Sequence, residues 1–259
     1  MNSKELIRTL KKLSWVALLF AAAAVVISAI EKKETSQVEE VRIEIGPLKD
    51  STWMIRKGDI LLTIERSFGY ALERLPIVSV DVERLERVLE KDPFILDADV
   101  YVDARNRVNI EVEQREPILR IIDNNQLNYY LDRDGKKMPL SNHFAARVLV
   151  ATGNIPPFVP DFEKREKHVL KDLYFITKTI REDAFMNALV EQIYVSNRGE
   201  YSIVPKIGDQ KIILGSINNL DEKIERLKIF YKEALPYEGW QKYKTIDLRY
   251  EGQVVCKKR

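Results

Sequence analysis

DVERLERVLEKDPFILDADVYVDARNRVNIEVEQREP, residues 81–117, carries the two periodicities from which the fold is read. Asp81 offers a side-chain oxygen to the free amides of a first helical turn and Glu83 favours the positive end of the helix dipole. Val82, Leu85, Val88 and Leu89 form an apolar stripe that Pro93 closes. The period then drops from about 3.6 to 2. Val100 and Val102 share one face of a strand over Ala98–Val102, a turn at 104–107 reverses the chain, and Val108, Ile110 and Val112 alternate with Asn109, Glu111 and Glu113. QREP at 114–117 interrupts the alternation. Pro117 has no backbone donor, so the chain is expected to leave the sheet or pass along an edge there.

Upstream, VEEVRIEI at 38–45 places Val41, Ile43 and Ile45 on one face of a half-buried strand. Met54 to Ala71 is apolar but interrupted by Gly58 and Gly69, and predicts a short or broken helix with loops. Residues 38–115 thus run strand, helical region, helix, strand, strand: a three-stranded sheet with helices on one face, an α+β module.

Downstream, 116–259 reads as a mostly antiparallel β domain with two or more helices. Ile118–Ile122 and Leu127–Leu131 flank the turn-prone Asp123-Asn124-Asn125. Arg147–Ala151 is a further strand, and 152–157 is a loop. Lys167–Ile180 has helical spacing, with a further turn at Phe185–Leu189. Strands enter at Ile193–Val195, Tyr201–Val204 and Lys211–Leu214. Asn219 with Glu222 matches a capping box opening a helix that Pro236 and Gly239 end. Ile246, Leu248 and Tyr250 alternate in a penultimate strand, and Gln253–Cys256 forms the last.

At the other end, LSWVALLFAAAAVVISAI at 13–30 has no formal charge and spans about 27 Å as a helix, at the short limit of a bilayer core. Lys4, Arg8, Lys11 and Lys12 outweigh Glu5 in the tail 1–12, while Glu31, Lys32, Lys33 and Glu34 cancel in the linker 31–37. The expectation is a single span, N-terminus in the cytoplasm and bulk outside, with Trp15, Lys11 and Lys12 at the membrane interface. A cleaved signal peptide is the rival, weakly supported by Ser28-Ala29.

The tail carries +3 of a chain whose formal net charge is +2, so the rest is about −1, and no concentrated basic face marks a nucleic-acid footprint there. With Cys256 the only cysteine, no internal disulfide forms. His143 and His168 lie in no metal-binding spacing, and no phosphate-binding glycine loop, dinucleotide fingerprint or G-x-S-x-G elbow occurs. DRDG at 132–135 lacks the later ligands of a calcium loop, and turn chemistry accounts for it. No catalytic residue, cofactor or small-molecule substrate is expected. A chain ending in a strand can leave an edge open to a strand from another protein; closure by an ordinary hairpin is the alternative.

VEEVRIEI, DPFILDADVYVD at 92–103, VEQREPILRI at 112–121, YYLDRDGKKMPLS at 129–141 and YKTIDLRYEGQVVCKK at 243–258, in this order behind one N-terminal span, resemble the bacterial cell-division family FtsQ/DivIB, in its Bacteroidetes-type form. The resemblance implies a POTRA domain at 38–115 and the family's β domain at 116–259. It implies a non-enzymatic divisome scaffold that binds FtsL-type and FtsB (DivIC)-type bitopic proteins and, through them, the septal peptidoglycan synthase. A partner strand would be received at the last strands. DLRY at 247–250 matches that segment, so Tyr250 is the first contact residue expected, with Leu248, Arg249, Val254 and Val255. QVVCKK departs from the small residues and aromatic of proteobacterial relatives, so outer contacts do not carry over. The rivals are a POTRA-bearing export factor, which would show POTRA repeats or a barrel, and a wall hydrolase, which would show a cleft with two facing carboxylates.

Overall fold

The computed structural model describes residues 14–24, 36–49, 51–73 and 75–259. Residues 14–24 are helical (α1) and exposed. The rest of the apolar stretch, Lys11, Lys12 and the tail lie outside the described residues, among which no helix is long and apolar enough to cross a membrane. The chain divides into two compact units, one reaching Pro47 and resuming over Ile55–Gln114, the other made of Leu48–Met54 and Arg115–Arg259.

The first unit contains β1 (Glu40–Ile45), α2 (Lys57–Phe68), α3 (Val82–Leu89), β2 (Ile95–Val102) and β3 (Arg107–Gln114). Its sheet runs β1-β3-β2, with β1 parallel and β2 antiparallel to β3. Register sets Ile43 beside Ile110 and Ile110 beside Val100. These join Ile60 and Ile64 of α2 and Leu85 and Leu89 of α3 in one core. The Asp81 cap forms as expected, accepting the Arg84 N–H at 3.0 Å. Of the short or broken helix with loops expected over 54–71, the short form is found, one continuous helix of twelve residues. Its glycines sit at the ends: Gly58 in the first turn, and Gly69 at φ 78° donating its N–H to the Glu65 carbonyl at 2.8 Å. The fold also begins slightly earlier than the strand alternation, since Gln37 bridges Pro76 and Val38 N–H bonds the Leu75 carbonyl.

The second unit contains β4 (Pro117–Ile122), β5 (Asn128–Asp132), β6 (Lys137–Met138), β7 (Leu149–Gly153), α4 (Val169–Glu182), α5 (Ala184–Leu189), β8 (Val190–Val195), β9 (Tyr201–Pro205), β10 (Lys211–Gly215), α6 (Leu220–Ile229), α7 (Leu235–Glu238), β11 (Tyr243–Asp247) and β12 (Val255–Lys258). They form one nine-stranded sheet in the order β12-β11-β10-β9-β8-β7-β4-β5-β6. Most pairings are antiparallel, but β4 with β7, β7 with β8, and β10 with β11 are parallel. The crossovers through α4–α5 and through α6–α7 make the last two of these possible. Leu173, Ile176, Ile180, Met186, Leu189, Ile224 and Leu227 from the helices pack on Ile121, Ala151, Ile193, Ile203, Ile212 and Ile246 of the sheet.

One local expectation is narrowed and two are corrected. Pro117 stands where the chain leaves the first sheet, one of the two outcomes expected, but not along an edge, because β4 lies between β7 and β5; it is the first residue of the strand and borders a bulge, where its missing donor is tolerated. Asn219 makes no capping bond; it adopts φ 53°, a left-handed entry into α6. Pro236 does not end the helix. Residues Phe230–Ala234 widen to a π turn, which relieves the clash and lost bond a proline imposes on the preceding turn, and α7 continues to Gly239.

His168 caps α4, its Nδ1 accepting the Leu170 N–H at 3.2 Å. Burial, and then the charge of Arg165, push its pKa below the usual 6.5. Only a neutral ring accepts that bond. With the folded pKa below the unfolded one, the unfolded chain takes the proton first, so this stability is present above about pH 6.5 and lost as pH falls below it. A His168→Asn chain keeps a capping oxygen, and its urea midpoint is expected to fall less between pH 7 and 5. Equal slopes in the two chains would contradict the assignment.

Candidate functional site

The last two strands make the terminal edge of the large sheet. β11 pairs antiparallel with β12 through Asp247↔Val255, Ile246↔Cys256 and Thr245↔Lys257, and parallel with β10 on its other side. Leu248 N–H bonds the Ile213 carbonyl of β10, so Ile246 also aims its main chain at β10 and Asp247 and Thr245 aim theirs at β12. Arg259 N–H bonds the Lys242 carbonyl, which puts Lys257 and Val255 on the same inward side of β12. The N–H and C=O of Cys256 and Lys258 therefore point away from the sheet. Among the described residues β12 is the end of the strand order, so these groups form an open ladder rung.

The bend into β12 is built by two arginines. Arg226 of α6, with a side chain 15% exposed, donates from Nη1 to the Tyr250 and Gln253 carbonyls at 2.5 Å each and from Nη2 to the Leu248 carbonyl at 3.4 Å. Arg249 grips Asp247 through Nε and Nη2 (3.0 and 2.7 Å) and Glu200 through Nη1 (3.0 Å). Those bonds, Asp247 first, raise the guanidinium pKa further; burial pushes the Asp247 carboxyl up, but the Arg249 bonds outweigh it and hold it below the usual range. The stem of Arg249 also occupies the space beside Gly215, where a Cβ would meet its Cγ at 2.6 Å. Gly252, at φ 64°, completes the turn.

Of the residues expected here from sequence, Tyr250 (52% exposed) and Val255 (41%) are available at the surface. Val254 is partly buried against the core. Leu248 is fully buried in the same core as Ile246 and anchors the hairpin from within, whereas β11 ends at Asp247 and the alternation does not continue to Tyr250 as a strand. Trp15 is 68% exposed on α1. Sequence reading missed Arg226, whose helical position carries no sign of the carbonyls it holds, and the outward main chain of Cys256 and Lys258. Burial raises the pKa of the half-buried Cys256 thiol.

Two open cavities of this unit each carry two carboxylates set among lysines, Glu163 with Glu182 in one of about 330 Å³ and Glu191 with Asp209 in one of about 590 Å³. A cavity of about 400 Å³ at the start of β4, β7 and β8 sets one carboxylate, Glu191, among Arg147, Arg181 and Lys206. Asp92 of the first unit has its carboxyl pushed up, by burial and then by the charge of Asp59, and it accepts the Phe94 N–H at 2.9 Å in a turn. Among the described residues no group of three or more His, Cys, Asp or Glu is placed to hold a metal ion.

A family model described as FtsQ/DivIB, C-terminal related, matches residues 116–257, more than half of the chain, and a POTRA-like domain model matches residues 36–113. No individually curated protein matches the chain.

Proposed function

We propose, because this chain belongs to the FtsQ/DivIB family of cell-division proteins, that it is a non-enzymatic, single-pass scaffold of the divisome. In this reading residues 13–30 cross the cytoplasmic membrane, residues 1–12 remain in the cytoplasm, and the POTRA domain at 38–115 and the β domain at 116–259 lie in the periplasm at the septum. FtsB (DivIC)-type and FtsL-type bitopic proteins are its partners, and through them the septal peptidoglycan synthase is linked and regulated. The carrying observation is the unpaired edge at β12, with the outward main chain of Cys256 and Lys258 and the exposed side chains of Tyr250 and Val255 beside it. Added main-chain bonds supply affinity there, and side chains at the rim select the partner.

The test is co-purification of the full chain with candidate bitopic partners, with a photocrosslinker at position 250. Tyr250 is half exposed and its side chain is not part of the core, so Tyr250→Glu is expected to leave the unfolding midpoint in place and weaken partner recovery at least tenfold, the scale of a central interface aromatic. Unchanged affinity would remove Tyr250 from the interface. Crosslinks only to unrelated proteins would remove the scaffold reading.

A further inference from the structure

The charges along β12 say what kind of strand the edge accepts. Lys257 lies opposite Thr245 and Lys258 opposite Tyr243, neither of them charged. Among the described residues neither lysine closes an ion pair, whereas their neighbours Arg259 and Lys242 are engaged by Asp209 and Glu238. The remaining acid of the hairpin strands, Asp247, is held by Arg249. Lys211 continues the same row two strands inward, through Thr245. Glu238, already bound by Lys242 and the Tyr243 hydroxyl, feels the charge of Lys258 without pairing with it, so this end of the edge carries more cations than carboxylates. The other end is apolar: Val255 on the open face, and Cys256 packed toward the helices.

Lysines on an edge strand commonly guard against pairing. Here they guard selectively. A second copy of β12 laid parallel and in register brings lysine beside lysine, and a neutral strand leaves both cations unmatched. A strand with two carboxylates beside Lys257 and Lys258, and two apolar residues beside Val255 and Cys256, matches both halves.

We infer that the edge formed by β12 receives an acidic–apolar segment, two adjacent carboxylate residues next to two apolar ones, with the carboxylates paired to Lys257 and Lys258. This rests on the edge-strand reading above and adds the chemistry of the occupant. The apolar pair buries against Val255 and the flank of Cys256, and the main chain bonds the outward groups of Cys256 and Lys258.

The probes are fluorescent hexapeptides, Thr-Val-Val-Glu-Glu-Thr and its reverse Thr-Glu-Glu-Val-Val-Thr, which cover both strand directions, and their lysine and serine counterparts, titrated with the full chain in detergent. One glutamate peptide is expected to bind roughly tenfold more tightly than its lysine counterpart, from two cross-strand pairs. That advantage should shrink as salt is raised. In the Lys257→Glu, Lys258→Glu chain the preference should invert, and a glutamate peptide N-methylated at alternate residues should not bind. Equal binding of glutamate, serine and lysine peptides would overturn the charge assignment while leaving the edge in use. Undiminished binding of the N-methylated peptide would show attraction without strand pairing and overturn the inference. No binding by any peptide, with a full unfolding transition retained, would overturn the edge reading itself.

Discussion

Replacing Arg115 with alanine is expected to lower the stability of the second unit by about 3–5 kcal/mol, the cost of leaving one member of a buried ion pair alone. Arg115 and Asp132 meet at 3.0 Å with side chains only 8% and 3% exposed. Asp132 carries a second load. Its other oxygen accepts the N–H groups of Asp134 and Lys136 at 2.9 and 2.7 Å and so shapes the turn between β5 and β6. Removing the guanidinium leaves that carboxylate bound to its turn but stripped of its counter-charge. The double replacement Arg115→Met with Asp132→Asn keeps the turn acceptor and removes both charges, and is expected to recover most of the loss. Urea titration gives the answer: a midpoint drop with unchanged slope in the single variant, largely restored in the double. A single variant that loses under about 1 kcal/mol would show that water already shares the pair.

The second large effect is at Gly153, the last residue of β7. Its φ is 102°, and a Cβ there would stand 2.1 Å from the Val195 carbonyl oxygen. The same oxygen accepts the Asn154 N–H at 2.9 Å. Gly153→Ala therefore adds backbone strain and forces the ends of β7 and β8 apart at a hydrogen bond, on the order of 3 kcal/mol together. Gly199→Ala is the control: φ is 76° there, but nothing lies within 4 Å of the added carbon, so strain alone of about 1–2 kcal/mol is expected. Melting temperatures should rank wild type, then Gly199→Ala, then Gly153→Ala. Equal losses would mean that β7 and β8 part easily.

How far these features show in sequence depends on how local they are. The Asp81 cap, the stripe through Leu85 and Leu89, and the alternation of Val108, Ile110 and Val112 are set within one element, and the structure has all of them. The turn at 132–135 was equally legible, since Asp132 bonds its own following amides. Arg115 as its buried partner was not, because seventeen residues and a strand separate them and nothing in QREP distinguishes a buried arginine from a solvated one. The glycines of α2 left a short and a broken helix open for a related reason: Gly58 and Gly69 have the same composition signal as breaks, and only their positions at the two ends of the helix make them harmless.

At the candidate site the division is sharper. DLRY and the closing basic residues mark the last hairpin, but alternation extended the penultimate strand through Tyr250, whereas Arg226 draws the carbonyls of Leu248, Tyr250 and Gln253 into a bend after Asp247. Leu248 stays in the core with Ile246, as the alternation has it, and Tyr250 lies at the surface.

By itself the sequence determined the order of the elements, their apolar faces, and an uncharged stretch at 13–30 long enough to span a bilayer, because each of these follows from spacing along one segment of chain. Only the tertiary structure decided which strand stands last in the sheet, which main-chain groups face outward, and that Lys257 and Lys258 stand beside uncharged neighbours. Those depend on pairing between segments distant in the chain, and register, unlike periodicity, is fixed by burial on both sides of the pair.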